Sequence, residues 1–149
     1  MKILVLNGPN LNLLGLREPD IYGTETYADL IARIERHCAA RGISVELRQS
    51  NHEGVLVDAI QQAMGTFDGI VINPAAYTHT SVALLDALKA VNLPAVEVHL
   101  SDPDTREAFR HVSFVRAACV ATVSGRGIAG YSDAIDLLVK WIEEHPKRK

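Results

Sequence analysis

LVDAIQQAMGTFDGIVIN, Leu56 to Asn73, holds two periodicities side by side. Leu56, Ala59, Ile60, Ala63 and Met64 recur at the spacing of one apolar helix face. After the Gly65 break, Ile70-Val71-Ile72 is a short continuous apolar run that stops at Asn73-Pro74, as a strand covered on both faces does. Working outward, the same alternation repeats along the chain. Ile3 to Leu6, Val45 to Leu47, Ala95 to Val98 and Cys119 to Val123 read as further buried strands. Helical stripes run through Tyr27, Leu30, Ile31, Ile34 and Cys38, through Leu84, Leu85, Leu88 and Val91, and through Tyr131, Ile135, Leu138, Val139 and Ile142. Five strands alternating with helices imply right-handed crossovers and a parallel sheet covered on both faces. The expected fold is an α/β, flavodoxin-like three-layer sandwich with a five-stranded parallel sheet in the order 2-1-3-4-5.

The chain's 149 residues, 48% hydrophobic and 22% charged, suit one domain spanning 1–149 with an ordinary core. Lys and Arg number 15 against 18 Asp and Glu, a net charge of −3, which speaks against nucleic acid or an anionic membrane as partner. No apolar run reaches the roughly 18 residues of a membrane helix, and the opening run ends too soon for a signal-peptide core. Cys38 and Cys119 sit in apolar periodic segments and read as buried thiols in a reducing compartment, hence a cytoplasmic protein. Residues 146–149, with Lys147, Arg148 and Lys149, read as a solvated tail.

From Gly8 to Thr24 neither periodicity holds, and a βα connection that long reads as a lid or binding loop. In an open parallel sheet ligands bind beyond the carboxyl ends of the strands, near the reversal of strand order. Polar clusters follow strands 1, 3 and 4, neighbours in the expected order: Asn7-Gly8-Pro9-Asn10, Asn73 to Ser81, and Glu97 to Asp102. Within the fourth run Glu97, His99 and Ser101 fall on one face at i, i+2, i+4. A carboxylate beside an imidazole orients it and favours its protonated form, which suits a general acid; a purely structural pair is the alternative. No metal-ligand spacing is present, and His79, His99 and His111 are the candidates near the edge. Gly125-x-Gly127-x-x-Gly130 follows a strand but lacks a later strand and an acidic ribose partner, so it reads as a tight strand-to-helix turn rather than a nucleotide site. No Walker loop or nucleophile elbow occurs.

Six ordered motifs carry a resemblance. They are Asn7-Gly8-Pro9-Asn10-Leu11-Asn12; Leu14-Gly15-x-Arg17-Glu18-Pro19-x-x-Tyr22-Gly23; Gln49-Ser50-Asn51-x-Glu53-Gly54; Asn73-Pro74-x-Ala76-Tyr77-Thr78-His79-Thr80-Ser81; Glu97-Val98-His99-Leu100-Ser101; and Arg106-Glu107-x-Phe109-Arg110. Together, over essentially the whole chain, they resemble the type II 3-dehydroquinate dehydratases. Ala75, Val112 and Phe114 depart from residues common there.

The resemblance implies loss of water from 3-dehydroquinate to give 3-dehydroshikimate, in the shikimate pathway or in quinate breakdown, with no cofactor. It implies Tyr22 as base, and since only tyrosinate can serve, a phenol pKa of about 10 must fall, with Arg17 in the same loop the cation able to lower it. It implies an enolate stabilised by a water on Asn10, and His99, oriented by Glu97, as the acid that protonates the departing hydroxyl. Asn73, Ser101 and the backbone at Leu100 would hold the substrate carboxylate, with His79 and Arg110 on its hydroxyls. Asp86 would reach a neighbouring subunit's site, an ordinary exposed helix charge being the alternative. The family's assembly, trimers packed into dodecamers, is carried over as an expectation. The rival is a non-catalytic flavodoxin-like module binding a small anion in the same cleft. An imine route is disfavoured, because Lys2, Lys89, Lys140, Lys147 and Lys149 all lie away from the carboxyl edge.

Overall fold

A computed structural model describes residues 1–16 and 18–147; for Tyr22 it describes the backbone. The strands are β1 (Lys2–Asn7), β2 (Ser44–Gln49), β3 (Gly69–Asn73), β4 (Ala95–Val98) and β5 (Ala121–Val123). They form one sheet in the order β2-β1-β3-β4-β5, every pairing parallel, as the apolar runs predict. The helices are α1 (Pro19–Tyr22), α2 (Tyr27–Ala40), α3 (Glu53–Ala63), α4 (Val82–Val91) and α5 (Ala129–Glu144).

Strand alternation sorts the core into two layers. Ile3, Val5, Val71, Val96 and Val98 pack with Leu30, Ile34 and Cys38 of α2 and Tyr131, Ile135 and Leu138 of α5. Leu4, Leu6, Ile70, Ile72 and Ala95 face the other way, onto Leu56 and Ile60 of α3 and Leu84 and Leu88 of α4. Two helix starts are fixed by side chains. Thr26 and Asp29 form a reciprocal capping box on α2, and Ser81 Oγ accepts from the Leu84 N–H on α4.

Some boundaries differ from the periodicity. Met64 lies past the end of α3 and is exposed, because the chain leaves the helix there for the Gly65 turn. The fifth strand begins at Ala121 rather than Cys119, since residues 115–118 form a 3-10 turn that delivers Cys119 half-buried. Cys38 is fully buried. The Gly8–Thr24 segment contains a 3-10 turn, Leu11–Leu13, and the single turn of α1. Gly125 and Gly127 take positive φ between β5 and α5, the strand-to-helix turn expected. Among the described residues no helix is long and apolar enough to cross a membrane.

Candidate active site

A cleft of about 110 Å³ opens beyond the carboxyl ends of β1, β3 and β4. Its floor is set by how closely the first two of these strand ends approach. The Gly8 N–H donates to the Asn73 carbonyl at 2.8 Å, and a side chain on Gly8 would collide with the carbonyl of Pro74. Only glycine fits between these backbones. The polar ends of β1 and β3 are buried and tied together by one phenol: Tyr131 Oη donates to Asn7 Oδ1 at 2.6 Å and accepts from Asn73 Nδ2 at 2.9 Å. Asn73 Oδ1 accepts from the Ala75 N–H at 3.1 Å, and Asn7 Nδ2 donates to Tyr27 Oη at 3.4 Å. Asn73 lines the cleft with its amide fixed, one Nδ2 hydrogen remaining for a ligand.

The wall over β1 is held from β2. Gln49 Nε2 donates to the Gly8 carbonyl and to Asn51 Oδ1, both at 3.1 Å, and Asn51 Oδ1 accepts from the Asn10 N–H at 3.0 Å. Asn10 takes φ 68°, a left-handed conformation that asparagine tolerates, and lines the cleft with Leu11, Leu13 and Leu14.

At the end of β4 the Glu97–His99 pair forms as the alternation predicts. His99 Nε2 donates to Glu97 Oε1 at 2.5 Å, with Glu97 fully buried and His99 nearly so. That contact engages Nε2, and Nδ1 is the ring nitrogen left for a ligand. Ser113 Oγ at 2.5 Å and Thr78 Oγ1 at 3.3 Å also donate to Oε1, while Arg116 Nε at 2.9 Å and Thr122 Oγ1 at 3.1 Å donate to Oε2. Burial pushes the Glu97 carboxyl up, but the hydrogen bond and charge of His99, helped by Ser113 and Arg116, outweigh it and hold the pKa at about 2. Ser101 lies beyond the end of β4, so it lines the cleft without joining the Glu97 cluster.

His79 Nδ1 faces the Val112 carbonyl at 2.7 Å. A carbonyl only accepts, so Nδ1 carries the proton and Nε2 is an acceptor. Burial lowers the His79 pKa, which keeps the ring neutral and suited to accept from a hydroxyl. Arg110 lines the same wall, its Nε on Glu107 Oε2 at 2.9 Å.

The cleft therefore brings together Asn10, Asn73, His79, His99, Leu100, Ser101 and Arg110, with Glu97 beneath. Asp86 is exposed on α4 and does not line it. Arg17 and the side chain of Tyr22 lie outside what is described. Arg106, quoted above only within a motif, lines the cleft, 3.8 Å from Glu18. Ser113, Arg116 and Thr122 were also missed as partners of Glu97. Opposite Glu97 on the neighbouring strand, Thr122 could have been found from the strand register alone. No lysine lines the cleft among the described residues, and these form no cluster of three or more His, Cys, Asp or Glu able to hold a metal.

Residues 1–139 match the family model described as dehydroquinase class II. A 3-dehydroquinate dehydratase of Corynebacterium glutamicum strain R is 58% identical over 137 residues, covering 92% of this chain and 94% of that one. A type II dehydroquinase from Butyrivibrio crossotus superposes with a TM-score of 0.92 at 51% identity, over 93% of this chain and 97% of that chain. One from Propionibacterium acnes gives 0.89 at 45% identity, over 93% and 96%.

Proposed function

The chain belongs to the class II dehydroquinase family and its activity is that of a 3-dehydroquinate dehydratase, a hydro-lyase; from that premise we propose how its residues divide the work. The substrate is 3-dehydroquinate and the product 3-dehydroshikimate. A module that merely binds a small anion is not favoured.

Elimination proceeds through an enolate. Tyr22, as the phenolate sustained by Arg17, removes the proton next to the ketone, and the charge collecting on the ketone oxygen is met by a water on Asn10. His99, aimed by Glu97, then gives a proton to the departing hydroxyl, which leaves as water while the enolate electrons close the carbon–carbon double bond. Asn73, Ser101 and the backbone at Leu100 receive the substrate carboxylate, and His79 and Arg110 its hydroxyls. Residues 8–24 act as the lid. The observation that carries the reading is a buried carboxylate–imidazole pair at the floor of a cleft whose wall supplies a neutral histidine and an arginine.

Asp86, exposed on α4 outside its own cleft, reaches the site of a neighbouring subunit, in trimers packed into a dodecamer. With Cys38 and Cys119 both free thiols, the cytoplasm is its compartment. Adding 3-dehydroquinate and following the ultraviolet absorbance of the conjugated enone tests the activity. Tyr22→Phe, folded and still binding substrate, is expected to lose turnover; near-normal turnover would remove Tyr22 from the base role.

A further inference from the structure

Glu97 receives more than the aiming of one imidazole requires. Ser113 and Thr78 already fix Oε1, the oxygen that meets His99, at 2.5 and 3.3 Å. Arg116 instead binds the far oxygen, Oε2, through Nε at 2.9 Å. It arrives from the 3-10 turn Val115–Ala118, does not line the cleft, and leaves 44% of its side chain in solvent. It is thus out of reach of a substrate in the cleft, yet it sets a permanent positive charge against a fully buried carboxylate whose other oxygen holds the histidine.

We propose that Arg116 is a positioning residue that sets the acid strength of His99 through Glu97. The inference rests on the reading of His99 as general acid. A carboxylate bearing its full charge stabilises an imidazolium and makes it a weaker acid. A guanidinium on the opposite oxygen offsets part of that charge, so the ring gives up its proton more readily in the transition state. The other charged or titratable groups around the pair do not duplicate this. His79, Arg106 and Arg110 approach from the cleft side. Cys119 flanks Glu97, but burial, reinforced by the carboxylate, pushes its thiol up to about 12, so it stays neutral.

The test is the pH profile of kcat, from about pH 5 to pH 10, for Arg116→Ala, Arg116→Gln and Arg116→Lys beside His99→Ala, with thermal melts to establish folding. In Arg116→Ala and Arg116→Gln the plateau of kcat is expected to fall several-fold with KM within about twofold, and the alkaline limb to move up by about one pH unit. Arg116→Lys, which keeps the charge, should leave the limb in place. Arg116→Gln retains a hydrogen bond to Oε2 and reports even if Arg116→Ala folds poorly. A native limb in the glutamine variant would mean that the hydrogen bond and not the charge matters, and would overturn the proposal. Collapse of kcat in His99→Ala together with superimposable Arg116 profiles would overturn the proposal alone. An undiminished kcat in His99→Ala would overturn the acid reading and this inference with it.

Discussion

Replacing Tyr131 with phenylalanine keeps the ring and removes one oxygen, leaving one polar atom of each of two buried amides without its partner. Tyr131 is wholly buried on α5, and its hydroxyl is the acceptor for Asn73 Nδ2 and the donor to Asn7 Oδ1. No cavity larger than the lost oxygen forms, so the cost lies in the stranded groups. Each unsatisfied buried polar group costs about 1–3 kcal/mol, and since each amide keeps one other bond we expect a total of about 3 kcal/mol. For a chain of this length that lowers Tm by about 10 °C. Circular dichroism melts of parent and variant at neutral pH measure it directly. The same loss frees the Asn73 amide to turn at the floor of the cleft, so KM for 3-dehydroquinate should rise by more than kcat falls. A variant melting within about 2 °C of the parent, with unchanged KM, would refute the claim that one phenol holds the ends of β1 and β3 in register.

The Glu97 carboxyl is held at about 2 against an ordinary value of 4.5, so its contribution is complete above pH 4.5 and lost as the pH falls toward 2. That difference corresponds to about 3 kcal/mol, and urea unfolding at pH 7 and pH 3 should show a loss in the parent that Glu97→Gln does not share; equal pH sensitivity would argue against it. Borohydride added during turnover should neither inactivate the enzyme nor add substrate mass, since among the described residues no lysine lines the cleft. A lysine adduct seen by intact mass measurement would replace the enolate route with an imine.

The sheet was legible because its inner strands β1, β3 and β4 are buried on both faces and read as continuous apolar runs, while the helices are buried on one face and leave a helical period. The Glu97–His99 pair was legible for the same reason, as two polar residues on one face of an apolar run. What surrounds the pair was not. Apart from Thr122, which sits opposite Glu97 in the strand register, the donors Thr78, Ser113 and Arg116 share no spacing, and only the folded chain brings them to one carboxylate. Tyr131 fell on a core stripe, correctly, but a buried phenol needs a hydrogen-bond partner, and following that requirement could have led to Asn7 and Asn73. The backbone turns at Asn10 and Ala75, with φ 68° and 53°, left no trace in periodicity because they are single-residue reversals.

The close approach at Gly8 also decides where this site is open to remodelling, by selection or by design. No side chain can be inserted at the floor without prising apart two strand ends, and that would disturb the sheet as well as the substrate. The turns around the cleft are different. Leu13, Ala76 and Pro103 reach the cleft from turns rather than from strands, and none of them belongs to the buried core. New bulk or polarity there changes the shape offered to a ligand while the strand register stays as it is. Altered substrate preference in this scaffold is therefore accessible through these turns, while the approach of the two strand ends stays fixed.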